Sequence, residues 1–331
     1  MEKRPFGRTG LTVSVLGLGC GAVGGLMVRG SAADQERAVA RAVEAGINYL
    51  DTAAMYGNGQ SETNLGRVLA KLKPDALVGT KVRLKDEEKR DIAAGIAASL
   101  EASLRRLGQD RVDLFQLHNP ITEQDAPGTI SVDVVLGQVV PAFQRLREQG
   151  KTRFFGITAI GDTSALQKVV DSGALQSAQV PYNLLNPSPG GSVPSGYPAQ
   201  DYRDLLGRMQ AAGMGAIGIR VLSGGALSGT PERHPIASPP PEPIGSAHSY
   251  EDDLRRAQRL MPLVSEGYAG SLAEASIRYV ISHPAMGTAL IGIATLDQFE
   301  EAIAAAEKGP LPQAALERAA ALQRSFVGES R

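Results

Sequence analysis

Short runs of apolar and β-branched residues alternate along this chain with longer stretches in which apolar residues recur on one helical face. Eight such runs stand out: VSVLGLG from Val13, INYLDT from Ile47, ALVGTK from Ala76, VDLFQLH from Val112, RFFGIT from Arg153, SAQVPY from Ser177, GAIGIR from Gly215 and TALIGI from Thr288. Between them the period changes. Leu65, Val68, Leu69 and Leu72 follow an i, i+3, i+4, i+7 spacing, and Ile92, Ile96, Leu100 and Leu104 stand four apart, which puts each set on one face of a helix. Gly46, Gly108, Gly150, Gly173 and Gly213 fall where a helical pattern ends, as expected of left-handed C-terminal caps. Ser31 with Asp34, Ser271 with Glu274 and Thr295 with Gln298 mark helix starts. A hairpin over RPFGRTGLT precedes the first run, and a helix follows Pro312.

Near-continuous apolar strands separated by helices predict a parallel sheet. Eight strand-helix units close most naturally into a (β/α)8 TIM barrel with an N-terminal β-hairpin and a C-terminal helix, one domain over residues 1–331. The competitor is a Rossmann domain, because GLGCGA at Gly17 to Ala22 satisfies G-x-G-x-x-A. Gly24 and Gly25 follow it where a helix belongs, which argues against that reading. In a barrel the same glycines bring the first loop close to whatever binds at the top face. Residues 119–132, 184–200 and the segment from Ser223 to Gly270, with SPPPEP inside it, read as irregular loops that cap a site.

Charge narrows the partners. With 34 Lys+Arg against 35 Asp+Glu, interspersed, the chain lacks the basic surface that a grip on nucleic acid needs. The single Cys20 excludes an intramolecular disulfide and a cysteine-based zinc site, and no metal is expected. The first residues show no apolar leader, and the weakly polar run 13–28 is too short and glycine-rich to span a bilayer. A cytoplasmic protein with a small-molecule partner and no membrane role is the expectation, its oligomeric state open.

In a barrel of this kind the chemistry sits at the C-terminal ends of the strands. There the second strand carries Asp51, the third Lys81 and the fourth His118, with Tyr56 in the loop after the second. Neighbouring strands lie about 5 Å apart, so the four converge. A tyrosine hydroxyl can protonate a developing alkoxide, and a nearby cation lowers its pKa. Lys81 supplies that cation, Asp51 holds Lys81, and His118 orients a carbonyl. The set suits carbonyl reduction.

These residues and their flanks resemble the aldo-keto reductases: RTGLTVSVLGLG, AGINYLDTAAMYGNGQSE from Ala45, GTK at Gly79, VDLFQLHN, GKTRFFGIT, QVPYNLL at Gln179 and ALIGIATLDQFEEA. The resemblance implies a catalytic tetrad of Asp51, Tyr56, Lys81 and His118, and a nicotinamide cofactor across the barrel mouth that passes hydride to a carbonyl carbon. It further implies that Gln179, Thr158 and Asn183 hold the nicotinamide. Backbone from Arg220 to Leu227, including Leu222, Ser223 and Gly225, would lie along the pyrophosphate. Gly292, Ala294, Thr295 and Gln298 would hold the adenosine end. Two positions depart from the family pattern: Arg220 replaces an aromatic ring under the nicotinamide, and Ala294 replaces a basic residue at the 2′-phosphate. The resemblance favours NADP, with NAD the alternative.

Three functions compete. The first is an NAD(P)H-dependent oxidoreductase acting on an aldehyde, ketone or sugar, or on the alcohol in reverse. The second is a slow, cofactor-binding regulatory subunit resembling potassium-channel β subunits. The third is a Schiff-base aldolase using Lys81. Specificity is expected in the loops, where Met27, Tyr197 or Tyr250 either contribute to an apolar wall or serve equally well as packing.

Overall fold

The computed structural model describes residues 1–329. Eight parallel strands close into a barrel in chain order: Leu16–Gly19, Tyr49–Asp51, Leu77–Val82, Val112–Leu117, Thr152–Thr158, Ser177–Pro181, Gly215–Ile219 and Met286–Gly292. The last strand pairs with the first, Ala289 opposite Leu16 and Gly292 opposite Gly19. Every expected run overlaps one of these strands, and helices such as Ala32–Glu44, Gln60–Leu72, Ile92–Leu107 and Leu296–Glu307 wrap the outside. The five cap glycines all have positive φ. Ser31, Ser271 and Thr295 each accept a hydrogen bond from the backbone three residues on, which satisfies donors that a helix start leaves unpaired.

Alternation along the strands sorts the side chains. Leu50, Phe115, Leu117, Phe155 and Val180 face the helices in the large outer core. Tyr49, Leu114 and Ile217 turn inward and join Phe6, Leu11 and Val13 of the N-terminal hairpin. That hairpin, Lys3–Pro5 against Thr12–Ser14, plugs the bottom of the barrel. Its Phe6 ring is fully buried. A Cβ on Gly215 would stand 2.6 Å from that ring and one on Gly287 2.9 Å, so the sixth residue of the chain is seated only because two late strands lack side chains there. Arg4 adds a hydrogen bond to the Ile281 carbonyl at 2.8 Å.

Two expectations need correction. VSVLGLG is not one strand: Thr12–Ser14 belongs to the hairpin and Leu16–Gly19 to the barrel. Val15 is the pivot, giving its N–H to Glu2 and its carbonyl to Ala289. Nor is the segment from Ser223 to Gly270 irregular throughout, because it contains the helix Tyr250–Gln258. Ser249 caps that helix, and Glu251, Asp252 and Asp253 sit in its first turn, where the helix dipole favours acids. The proline-rich stretch just before it masks this start.

Because Phe6 fills the barrel floor, Phe6→Ala opens a cavity that glycine neighbours cannot fill. Its expected cost is about 3 to 5 kcal/mol, measured as a lower urea midpoint at an unchanged denaturant slope.

Candidate active site

At the opposite end of the barrel, strand alternation turns Asp51 and Lys81 inward, and both are almost completely buried. The Lys81 ammonium uses all three of its protons. One goes to the Asp51 carboxylate, one to the Thr52 carbonyl at 2.8 Å and one to the Tyr56 hydroxyl at 3.1 Å. The other Asp51 oxygen accepts from Tyr49 at 2.8 Å and from the Gln179 amide at 2.7 Å. His118, just past the fourth strand, sets its ring edge-on to Tyr56 with centroids 5.9 Å apart. The four residues spread over the sequence therefore meet.

Tyr56 sits on a loop, and the loop is locked from several sides. Gly57, Asn58 and Gly59 have φ of 59°, 53° and 87°, three successive left-handed residues in a turn few side chains tolerate. A Cβ on Gly57 would lie 2.5 Å from Val28, and one on Gly59 2.8 Å from Arg106, so this turn threads between the first loop and a neighbouring helix. Ser61 then donates to the Cys20 carbonyl at 2.7 Å and bonds the Thr52 hydroxyl at 2.8 Å. Fully buried Glu62 accepts from Thr80 at 2.5 Å and from Arg106 at 2.6 Å. Ser61, Glu62, Thr80 and Arg106 did not emerge as site residues from sequence reasoning. For Ser61 and Glu62 the signal was present in YGNGQSE, where polar residues open an amphipathic helix; for Thr80 and Arg106 there was none.

Burial opposes the charge on Lys81, but Asp51 and Tyr56 more than reverse that effect and hold its pKa above the ordinary value. Burial raises the Tyr56 pKa, with Lys81 pulling against it. The net direction is thus upward, not the lowering expected from Lys81 alone, and Tyr56 is a neutral phenol at physiological pH. Burial first, then Lys81 and Arg83, push the His118 pKa down to about 3, so its imidazole is neutral as well. Cys20, buried under Asp51, has its thiol pushed up and is inert.

The residues expected around a cofactor lie along one side of this mouth. The Thr158 hydroxyl is buried without a hydrogen-bond partner among the described residues, and the neighbouring Gln179 has its amide nitrogen on Asp51. Asn183 is engaged internally. It donates to the Arg220 carbonyl at 2.8 Å and accepts from Leu185 and Asn186, so it shapes the groove through Arg220. Arg220 and Ser223 have φ of 56° and 46°, and Ser223 donates to buried Asp253 at 2.7 Å. Leu222 is half-buried and Leu227 fully buried, while a Cβ on Gly225 would stand 2.5 Å from Arg233. On the next strand Gly292 is exposed, and Ala294, Thr295 and Gln298 open the helix Leu296–Glu307.

The profile of the Aldo/keto reductase family matches residues 15–324. The chain belongs to the aldo/keto reductase family. Its relatives are consistent with this. L-galactose dehydrogenase of Arabidopsis thaliana is 28% identical over 92% of this chain and 88% of its own length. A putative voltage-gated potassium channel subunit beta of Schizosaccharomyces pombe is 28% identical over the same shares. The holo form of an aldo-keto reductase from Bacillus halodurans superposes with a TM-score of 0.72 at 24% identity, covering 100% of this chain and 98% of that one, which shows the shared barrel. The protein is accordingly an oxidoreductase of a family that pairs small carbonyl compounds with a nicotinamide cofactor. Among the described residues no helix is long and apolar enough to cross a membrane.

In this aldo/keto reductase the three candidate wall residues serve as packing. Met27 and Tyr250 are buried in the fold, and Tyr197 bonds the Leu185 carbonyl while packing on Phe326. The exposed apolar side chains at the mouth are Met55, beside Tyr56, and Val23 in the first loop. Both sit among glycines and polar residues, where no periodicity marks them.

A depressed His118 pKa has a measurable sign. The folded chain refuses a proton that the unfolded chain accepts below about pH 6.5, so this group's contribution to stability is full above that pH and declines as pH falls toward 3. The His118 ring resonances should stay those of neutral imidazole from pH 8 to about 5, as followed by NMR, and a midpoint near 6.5 would contradict its burial.

Proposed function

We propose that this aldo/keto reductase interconverts a small carbonyl compound, an aldehyde, ketone or sugar, with its alcohol, using NADP or NAD, with Tyr56 as the general acid. The observation that carries the reading is the triple engagement of the Lys81 ammonium by Asp51, Thr52 and Tyr56. A dinucleotide, when bound, would supply the hydride-transfer chemistry. Thr158 and Gln179 suit the nicotinamide amide, the unpartnered Thr158 hydroxyl being free to bond it. The turn from Arg220 to Leu227 would lie along the pyrophosphate, and residues 292–298 along the adenosine.

The chain's own residues then handle the proton. A carbonyl oxygen between Tyr56 and the neutral ring of His118 receives hydrogen bonds from a phenol that burial keeps protonated. As the carbon–hydrogen bond forms, the Tyr56 proton moves to that oxygen and the new phenolate is stabilised by Lys81 at 3.1 Å. Asp51 keeps Lys81 charged through this transfer. In the alcohol-oxidising direction the same atoms move in reverse.

A Schiff-base role for Lys81 is disfavoured, since an ammonium held by three acceptors with a raised pKa has no free pair for attack. The channel-subunit relative suggests a slow, regulatory form of the same chemistry, distinguished from an enzyme by rate alone. We also place the protein in the cytoplasm, in keeping with its single inert cysteine.

Tyr56→Phe should cut carbonyl reduction by about 100-fold or more while leaving dinucleotide affinity, titrated by cofactor fluorescence, within about two-fold. Near-normal turnover would remove Tyr56 from the acid role.

A further inference from the structure

The segment expected to face the adenosine ribose is built against a phosphate. From Gly292 to Glu301 the sequence GIATLDQFEE has no basic residue and three acids. Ala294 is 4% exposed, so its methyl group offers nothing to an anion. Two donors at this helix start are already engaged. Gln298 Oε1 accepts from the Ala294 N–H at 2.9 Å, and Thr295 Oγ1 accepts from the Gln298 N–H at 3.2 Å. Asp297 stands exposed in the first helical turn, where its charge occupies the positive end of the helix dipole.

The nearby cations are tied elsewhere. Arg41 forms a two-pronged pair with Glu300, at 2.7 and 2.9 Å. Arg29 reaches from the first loop to the carbonyls of Ile236 and Ala22, each at 2.6 Å. A ribose 2′-phosphate, carrying close to two negative charges, would approach Asp297 while Arg41 and Arg29 are engaged with other groups. A ribose 2′-hydroxyl can instead donate to a carboxylate or to an amide oxygen, the usual way an acidic side chain selects the unphosphorylated dinucleotide.

We infer that this chain selects NAD over NADP, with Asp297 and the Gln298–Ala294 hydrogen bond as the determinants. The inference reverses the preference that family resemblance favours, and it rests on the proposed reading that the adenosine end lies at residues 292–298. The cost of desolvating a phosphate next to a carboxylate falls only on NADPH, so discrimination appears in binding, before any chemistry.

The test is a fluorescence titration of wild-type protein with NADH and with NADPH, without substrate, repeated on Ala294→Arg, Asp297→Ser and Arg29→Ala. The expected result is NADH at least about ten-fold tighter in wild type, with Ala294→Arg shifting the ratio about ten-fold or more toward NADPH, the scale of one charge-assisted hydrogen bond. Asp297→Ser, at an exposed position that the fold tolerates, should shift it the same way. Equal or tighter NADPH binding in wild type overturns the inference, and its loss in Arg29→Ala would identify Arg29 as a phosphate clamp. An unchanged ratio in both Ala294→Arg and Asp297→Ser likewise overturns it. Failure to bind either dinucleotide would instead strike the proposed function on which the inference stands.

Discussion

A buried ammonium constrains this molecule more than any other single group. Taking a charge out of water costs several kcal/mol unless hydrogen bonds and an opposite charge offset it, and Lys81 obtains both only if three pieces of chain stay in place. Asp51 must end the second strand, Thr52 must aim its carbonyl inward, and Tyr56 must return across the mouth. Register fixes the first two, with Asp51 opposite Gly79 two residues before Lys81. Gly79 has its own reason for being small, because a Cβ there would stand 2.4 Å from the Tyr49 hydroxyl that supports Asp51. Barrel closure and proton chemistry thus share the same few positions.

The parts of this arrangement governed by period could be read from sequence. A strand-end residue at an inward position must point into the mouth, so Asp51, Lys81 and His118 were visible once eight strands were counted. Tyr56 was visible through its resemblance and its chemistry rather than through any period. Position along the chain does not encode a left-handed φ at Asn58, Arg220 or Ser223. Nor could it reveal that Asn183 would spend its amide on a turn, or that Met27 and Tyr250 would be buried while Met55 stays out. Such outcomes depend on contacts between segments some thirty or more residues apart, such as Asn183 with Arg220 and Ser223 with Asp253, which local pattern does not contain. The pKa of Tyr56 failed for a related reason, since Lys81 was legible and the burial that outweighs it was not.

The groove wall opposite the tetrad has a different character. Arg220 and Ser223 hold backbone conformations that cost energy in a non-glycine residue. Asn183 fixes one through its carbonyl, and Asp253, which also accepts from Ser246 at 2.8 Å, fixes the other through its hydroxyl. Arg233 ties the adjoining segment to Gly224, Ala237 and Tyr250. The site therefore joins a rigid ion pair set by strand register to a looser rim set by side chains, a division that lets the rim change without disturbing the proton donor.

The hairpin under the barrel has a consequence for how the chain comes to exist. Phe6 and Arg4 are synthesised well before the surfaces they rest on, Gly215, Gly287 and the Ile281 carbonyl, which emerge from the ribosome more than two hundred residues later. The first barrel strand waits equally long for its partner at Ala289. Contacts so distant in sequence form late, so for most of translation the N-terminal segment is an apolar end without a seat. Residues of this hairpin are made early yet are among the last to be placed, and the floor of the barrel is finished only when its final strand has been made.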